Sequence, residues 1–149
     1  MASFTFTREI NAPPATVFDV LTDHAGYSKL TPLRKSELER QGEADPNGVG
    51  AIRKLTVVGP PMREEVIAYE APSRFSYKVL SGLPVRDHVG TVELSADAGG
   101  GTRMVYAVRT QPTLPVIGFA VVAGIKQAVK GLVDGVSKES ERRAAAAGR

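Results

Sequence analysis

The sequence predicts a single α+β domain in which a strongly curved, seven-stranded antiparallel sheet wraps one long C-terminal helix, with two short helices after the first strand. Three observations predict it. An apolar stripe at helical spacing, Val122, Ile125, Val129, Leu132 and Val136, runs through the last third of the chain. Upstream, nearly every segment reads as a strand bounded by Gly, Pro or Asx turns. Most connections are of hairpin length, which makes the strands antiparallel neighbours. One long helix with one apolar face must be covered, and the sheet is the partner available.

The elements follow in order. Phe4 to Ile10 alternates, with Phe4, Phe6, Arg8 and Ile10 on one side and Thr5, Thr7 and Glu9 on the other, as in a half-buried strand. Asn11-Ala12-Pro13-Pro14 ends it. A short helix then starts at Pro14 or Ala15 with Val17, Phe18 and Leu21 as its apolar face. Thr22-Asp23 caps a second, His24 to Leu30, which Thr31-Pro32 stops. Two short helices in series form a V that can cradle the end of a longer one. Six strands follow: Arg34 to Gly42, Ala51 to Val58, Met62 to Glu70, Phe75 to Leu80, Asp87 to Ala96 and Thr102 to Thr110. Gly59-Pro60-Pro61, Ala71-Pro72-Ser73, Gly82-Leu83-Pro84 and Gly99-Gly100-Gly101 turn the chain between them.

The final helix is expected from Leu114 or Pro115 to about Arg143. Pro115 suits a first turn, where a missing N–H costs nothing. Lys126, Lys130, Asp134 and Lys138 form a solvated stripe at four-residue steps. Gly118 and Gly124 interrupt its apolar front half; they fit either close packing on the sheet or space for a bound molecule. Val116 to Ile125 is shorter than the ~20 residues a bilayer requires, so no stable membrane insertion is expected. Residues 1–143 are expected to form the domain, and Ala144 to Arg149 a frayed tail.

Composition narrows the function. The 149 residues carry a formal charge of +3 with basic residues scattered, whereas a nucleic-acid surface needs a patch or stripe. There is no cysteine, hence no disulfide framework or thiolate metal site. The two histidines, His24 and His88, lie on different elements with no carboxylates at ligand spacing, so neither metal nor cofactor is expected. No nucleophile elbow, phosphate loop or dinucleotide fingerprint occurs. No secretory signal pattern opens the chain, which makes the cytoplasm the expected compartment.

Three stretches carry a family likeness. They are Asn11-Ala12-Pro13-Pro14-Ala15-Thr16-Val17-Phe18-Asp19-Val20-Leu21-Thr22-Asp23, then Ala71-Pro72-Ser73-Arg74-Phe75-Ser76-Tyr77, then Gly90-Thr91-Val92-Glu93-Leu94 with Gly100-Gly101-Thr102-Arg103-Met104-Val105-Tyr106. In this order, ahead of a terminal helix, they resemble the START-like (SRPBCC) superfamily, which includes pollen-allergen proteins, abscisic-acid receptors and bacterial polyketide cyclase/dehydrase and lipid-transport proteins. The resemblance implies the helix-grip fold and a cavity between sheet and helix. It does not choose among binding, transport and catalysis, because one cavity serves all three. At Lys29-Leu30-Thr31-Pro32 bacterial relatives usually carry a tryptophan, which this chain lacks. Ser81-Gly82-Leu83-Pro84 spells the receptors' gate tetrapeptide one hairpin later than theirs, and is taken as coincidence.

Alternation assigns the pocket. Val92 and Leu94 face inward, and extending that parity backwards puts Gly90, His88 and Arg86 on the cavity side unless a bulge intervenes near Gly90. Met104 and Tyr106 pair across from them; Phe75 and Tyr77 form another inward face. Phe18, Leu21, Tyr27, Leu55, Tyr69, Phe119 and Val122 complete the expected wall. His88 has the chemistry of a general acid or base, Arg86 that of a carboxylate or enolate binder, and Tyr106 that of a donor to a carbonyl. The same residues also suit plain backbone or ion-pair roles at the rim. Glu64 and Glu65, adjacent and on opposite faces, are expected to pair with Arg53 or Lys54. The expected function is binding, or transport, of an apolar or amphipathic molecule such as a lipid, polyketide or aromatic metabolite, by a monomer or weak homodimer. The alternatives are a polyketide cyclase/dehydratase using the same cavity, and a protein-interaction or stress-response module with a filled cavity.

Overall fold

The computed structural model describes residues 1–23, 26–27, 35–56 and 60–148. Its elements run β1 (Ala2–Ile10), α1 (Pro14–Thr22), β2 (Lys35–Arg40), β3 (Ile52–Thr56), β4 (Met62–Glu70), β5 (Arg74–Ser81), β6 (Val85–Ala96), β7 (Thr102–Pro112) and α2 (Gly118–Ala147). The strands form one antiparallel sheet in the order β1-β7-β6-β5-β4-β3-β2. Sequence neighbours pair throughout, apart from β1, which closes on β7. This is the expected seven-stranded grip around a C-terminal helix. The expected second short helix, His24 to Leu30, lies outside the described residues except for Gly26 and Tyr27.

The grip is filled at one end. Val17, Phe18, Val20 and Leu21 of α1 are buried against Ile10, Val66, Phe75, Val92, Leu94 and Met104 of the sheet and Val129, Val133 and Val136 of α2. Phe18 meets Tyr69 edge-on at 5.0 Å. Polar groups tie this end together. Thr102 donates to the Ala12 carbonyl at 2.6 Å, and Arg8 on β1 reaches Asp134 on α2 at 2.5 Å.

Two boundaries of the last helix differ from expectation. It begins at Gly118, because β7 runs on to Pro112, Thr113 N–H is held by the Pro84 carbonyl at 2.9 Å, and residues 115–117 are used as a turn. It continues to Ala147 where a frayed tail was expected from Ala144. Alanine is the best helix former, Ala144 packs against the core, and Glu139 holds Arg142 at 2.5 Å and Arg143 at 3.1 Å along the last turns. Among the described residues no helix is long and apolar enough to cross a membrane.

Candidate ligand cavity

The other end of the grip is hollow. A cavity of about 460 Å³ lies between β3–β7 and the front half of α2. Its helix side is apolar and partly small: Val121, Gly124, Ile125, Ala128 and Leu132. Gly82, Leu83 and Pro84, from the β5–β6 connection, form part of the rim with Pro60. The sheet side is different. There Arg53, Glu64, Tyr77, His88 and Tyr106 face the space together with Leu55 and Met62, and Tyr27 joins them from the segment after α1.

Strand pleating explains why these polar groups point inward. Arg53 lies two residues before inward-facing Leu55 on β3, and Glu64 two before inward-facing Val66 on β4. Arg53 and Glu64 are directly opposite in the β3–β4 ladder. Their ion pair closes at 2.6 Å, with the residues 1% and 3% exposed. The Arg53 guanidinium also donates to the Tyr27 hydroxyl at 3.2 Å, and it stacks over the rings of Tyr77 (4.9 Å), Tyr27 (5.1 Å) and Phe75 (5.3 Å). Three aromatic faces replace part of the hydration that the cation loses on burial. Desolvation opposes charge on Arg53, but Glu64 together with Tyr27, Tyr77 and Tyr106 outweighs it, and the guanidinium stays ionised. Burial pushes the Glu64 carboxyl up, against the opposing pull of Arg53.

The tyrosines form the second polar unit. Tyr77 and Tyr106 hydroxyls are hydrogen-bonded at 2.5 Å, and Tyr27 donates to the Leu21 carbonyl. Burial raises the pKa of all three, so each is a neutral phenol near pH 7. His88 completes the set, its Nδ1 3.0 Å from the Thr110 hydroxyl and its ring 6.3 Å from that of Tyr77. Burial pushes the imidazole down to about 4, which keeps it uncharged at neutral pH. The cavity thus offers an apolar trough leading to neutral donors and acceptors, with one compensated cation–carboxylate pair beneath them.

Of the residues expected at the site, the structure brings Tyr27, Leu55, Tyr77, His88 and Tyr106 to the cavity. Phe18, Leu21, Phe75, Val92 and Met104 are instead in the packed end, and half-buried Tyr69 is tied to it through Phe18. Arg86 is exposed and outside the lining. A bulge between Arg86 and Val89 breaks the parity, with Asp87 at φ 51°, a left-handed conformation that aspartate tolerates better than most residues. Phe119 is 79% exposed, and Val122 stands beside the lining rather than in it. The first turns of α2 direct Val121 and Ile125 inward instead. The expected Arg53–Glu64 pairing is present, whereas Glu65, on the outer face, meets Arg40 at 3.5 Å and Lys78 at 3.6 Å. Arg53 and Glu64 were missed as cavity residues, although the parity that placed Leu55 inward carries Arg53 with it. Among the described residues no cluster of His, Asp and Glu could hold a metal ion.

The family described as polyketide cyclase/dehydrase and lipid transport matches residues 1–144. The chain belongs to this family. Solved structures of similar fold include a START superfamily protein from Mycobacterium smegmatis (TM-score 0.78, 14% identity, covering 94% of this chain and 97% of that one). Ara h 8.0201 is similar over 93% of this chain and 97% of its own (TM-score 0.75, 18% identity). A norcoclaurine synthase point mutant from Thalictrum flavum, bound to a transition-state analogue, is similar over 95% of both chains (TM-score 0.73, 15% identity). At these identities the likeness is one of fold. No match was found among curated protein sequences.

Proposed function

We propose that this member of the family binds an amphipathic small molecule in the cavity, with the ligand's apolar body along α2 and its polar end among Tyr77, Tyr106 and His88. The observation that carries this reading is the division of the lining: apolar Val121, Ile125, Ala128 and Leu132 on the helix side, and hydrogen-bonding groups gathered on the sheet side. A pocket of this kind draws affinity from burial and orientation from a few polar contacts. A hydroxyl, carbonyl or phenol suits the neutral donors and acceptors. Arg53 is already compensated by Glu64, so a ligand carboxylate would have to compete with a residue of the protein itself.

Thermal unfolding against a panel of fatty acids, flavonoids and aromatic polyketides tests this reading. A ligand at about a hundredfold its dissociation constant adds about 2.7 kcal/mol. That is roughly 5–10 °C for a domain of this size. A shift of that order with one chemical class supports the reading. No shift across the panel, with native mass spectrometry showing no molecule carried through purification, turns the assignment toward the interaction module.

A second reading, cyclase/dehydratase chemistry in the same cavity, is favoured by one observation: an uncharged His88 shares the space with Glu64 and three phenols. Proton transfer at an enolisable carbonyl needs such groups in a dry site. It predicts turnover that His88→Gln abolishes while ligand binding persists.

A further inference from the structure

Among the described residues, the segment from β7 into α2 is the most exposed apolar part of the molecule. Leu114, Val116, Ile117 and Phe119 are 40%, 84%, 50% and 79% exposed. They fall within six residues, on the turn that leads straight into Ala120 and Val121 of the cavity lining. The facing rim is held to this segment by the Thr113–Pro84 hydrogen bond at 2.9 Å. The apolar tip and the cavity mouth are therefore one continuous surface.

The charge nearest the tip is mainly basic. From Ala98 to Val133 the chain contains no Asp or Glu; of the basic residues in that stretch, Arg103 is at the far end of β7 and paired with Glu9, and Lys130 is paired with Asp134, which leaves Arg109 on β7 and Lys126 on the first turns of α2. Lys126 follows Phe119 by seven residues, two helical turns, which puts both on one face of α2. Arg86 is opposite Gln111 in the β6–β7 ladder, at the base of the same segment. Arg86 and Lys126 are exposed and make no ion pair among the described residues. The acid next to Arg86 in sequence is Asp87.

We infer that Leu114–Phe119 seats the protein peripherally on an anionic lipid bilayer, with Arg86 and Lys126 against the headgroups and the cavity mouth turned to the membrane. Three features favour a bilayer over a second copy of the chain. The side chains stand out on a single turn rather than lining a groove. Four of them supply less than the about 1,000 Å² that a specific protein interface needs. A membrane surface needs only a few apolar side chains flanked by basic ones. No described helix is long and apolar enough to span, so attachment is superficial. Its use in exchanging a ligand rests on the cavity reading above; the attachment itself does not.

Sedimentation with sucrose-loaded vesicles, of POPC alone and of POPC with a minority of POPG, tests this on the full chain. The protein should sediment with the POPG vesicles, more weakly with POPC, and less as salt is raised. Val116→Ser/Phe119→Ser should lower partitioning about tenfold or more. Arg86→Glu/Lys126→Glu should lower it on POPG vesicles by about fivefold or more for each reversed charge. Absence of sedimentation with either vesicle, or equal partitioning of the apolar variant, overturns the inference. A dimer in light scattering that the apolar variant abolishes, without vesicle binding, overturns it in favour of a second copy. Binding of N-phenyl-1-naphthylamine, a neutral amphipathic probe, measured without vesicles, should be kept by both double variants. If the unaltered protein fails to bind it, the cavity reading falls while the vesicle result still decides the attachment.

Discussion

The ring of Tyr77 rests on Gly90, its partner in the β5–β6 ladder. A Cβ at position 90 would stand 2.4 Å from Tyr77 Cζ and 2.5 Å from its hydroxyl. The missing side chain lets the ring lean over the sheet so that its hydroxyl reaches Tyr106 at 2.5 Å. One glycine on β6 thereby shapes the polar end of the cavity.

Gly90→Ala should displace Tyr77, break the tyrosine pair and cost about 1–3 kcal/mol, the usual range for overpacking a core. Urea unfolding together with near-ultraviolet tyrosine dichroism checks this. An unchanged midpoint and spectrum would show that the contact is not needed.

The Arg53–Glu64 pair predicts an asymmetry. Glu64→Leu leaves a guanidinium buried that cannot shed its charge, and should cost about 3–5 kcal/mol. Arg53→Met leaves a carboxyl that burial already pushes toward the neutral form, and should cost less. The Arg53→Met/Glu64→Leu double variant should fall well short of the sum of the single losses, because neither charge is then left alone. Denaturant midpoints of the three variants decide it; additive losses would contradict the pairing.

His88 sets a pH window. Its folded pKa is pushed down to about 4 from 6.5 by burial, so between those values the unfolded chain binds more protons at this site than the folded one. Stability therefore rises with pH across the window and is lost as acid charges the imidazole, by about 3 kcal/mol at most. His88→Gln should flatten the stability profile between about pH 6.5 and 4. It should leave the loss below pH 4 in place, since Glu139 is held near 2 by hydrogen bonds from Arg142 and Arg143, with Asp134 also lowered by Arg8 and Lys130. An identical slope in both proteins would contradict this.

Tyr106→Phe separates binding from folding. It removes one hydroxyl from the tyrosine pair and keeps the ring in the core. Stability should change by about 1 kcal/mol. Affinity for a ligand with a polar end should fall about five- to tenfold, and affinity for a purely apolar analogue should not change. Titration of such a pair of ligands checks this.

The fold was legible because each element's signal was local. Met62–Glu70 reads the same from its flanking Pro-Pro and Ala-Pro-Ser turns as from its hydrogen bonds, and the Val92/Leu94 parity runs back to His88, which is buried and borders the cavity. The site was legible only as far as such parity runs. It failed for Arg86 because one left-handed residue, Asp87, adds a step to β6 that no hydrophobic pattern announces. Arg53 escapes such parity, since a charged residue on an inward position makes sense only once its opposite number, Glu64, is placed. Which buried residues pack solidly and which border a void depends on how deeply α2 sits in the grip. Phe75 and Tyr77, two residues apart on one face, both pack in the core, but only Tyr77 also borders the cavity.

The most direct test of the central claim is the fluorescence of N-phenyl-1-naphthylamine, a neutral amphipathic probe, titrated against the protein and against Ala128→Trp. Ala128 lines the cavity yet is exposed at its edge, so a bulky ring there enters the void without disturbing the packed end. The account predicts saturable binding that the substitution weakens tenfold or more while the unfolding midpoint holds. Equal binding by both proteins would contradict it and place the ligand elsewhere on the molecule.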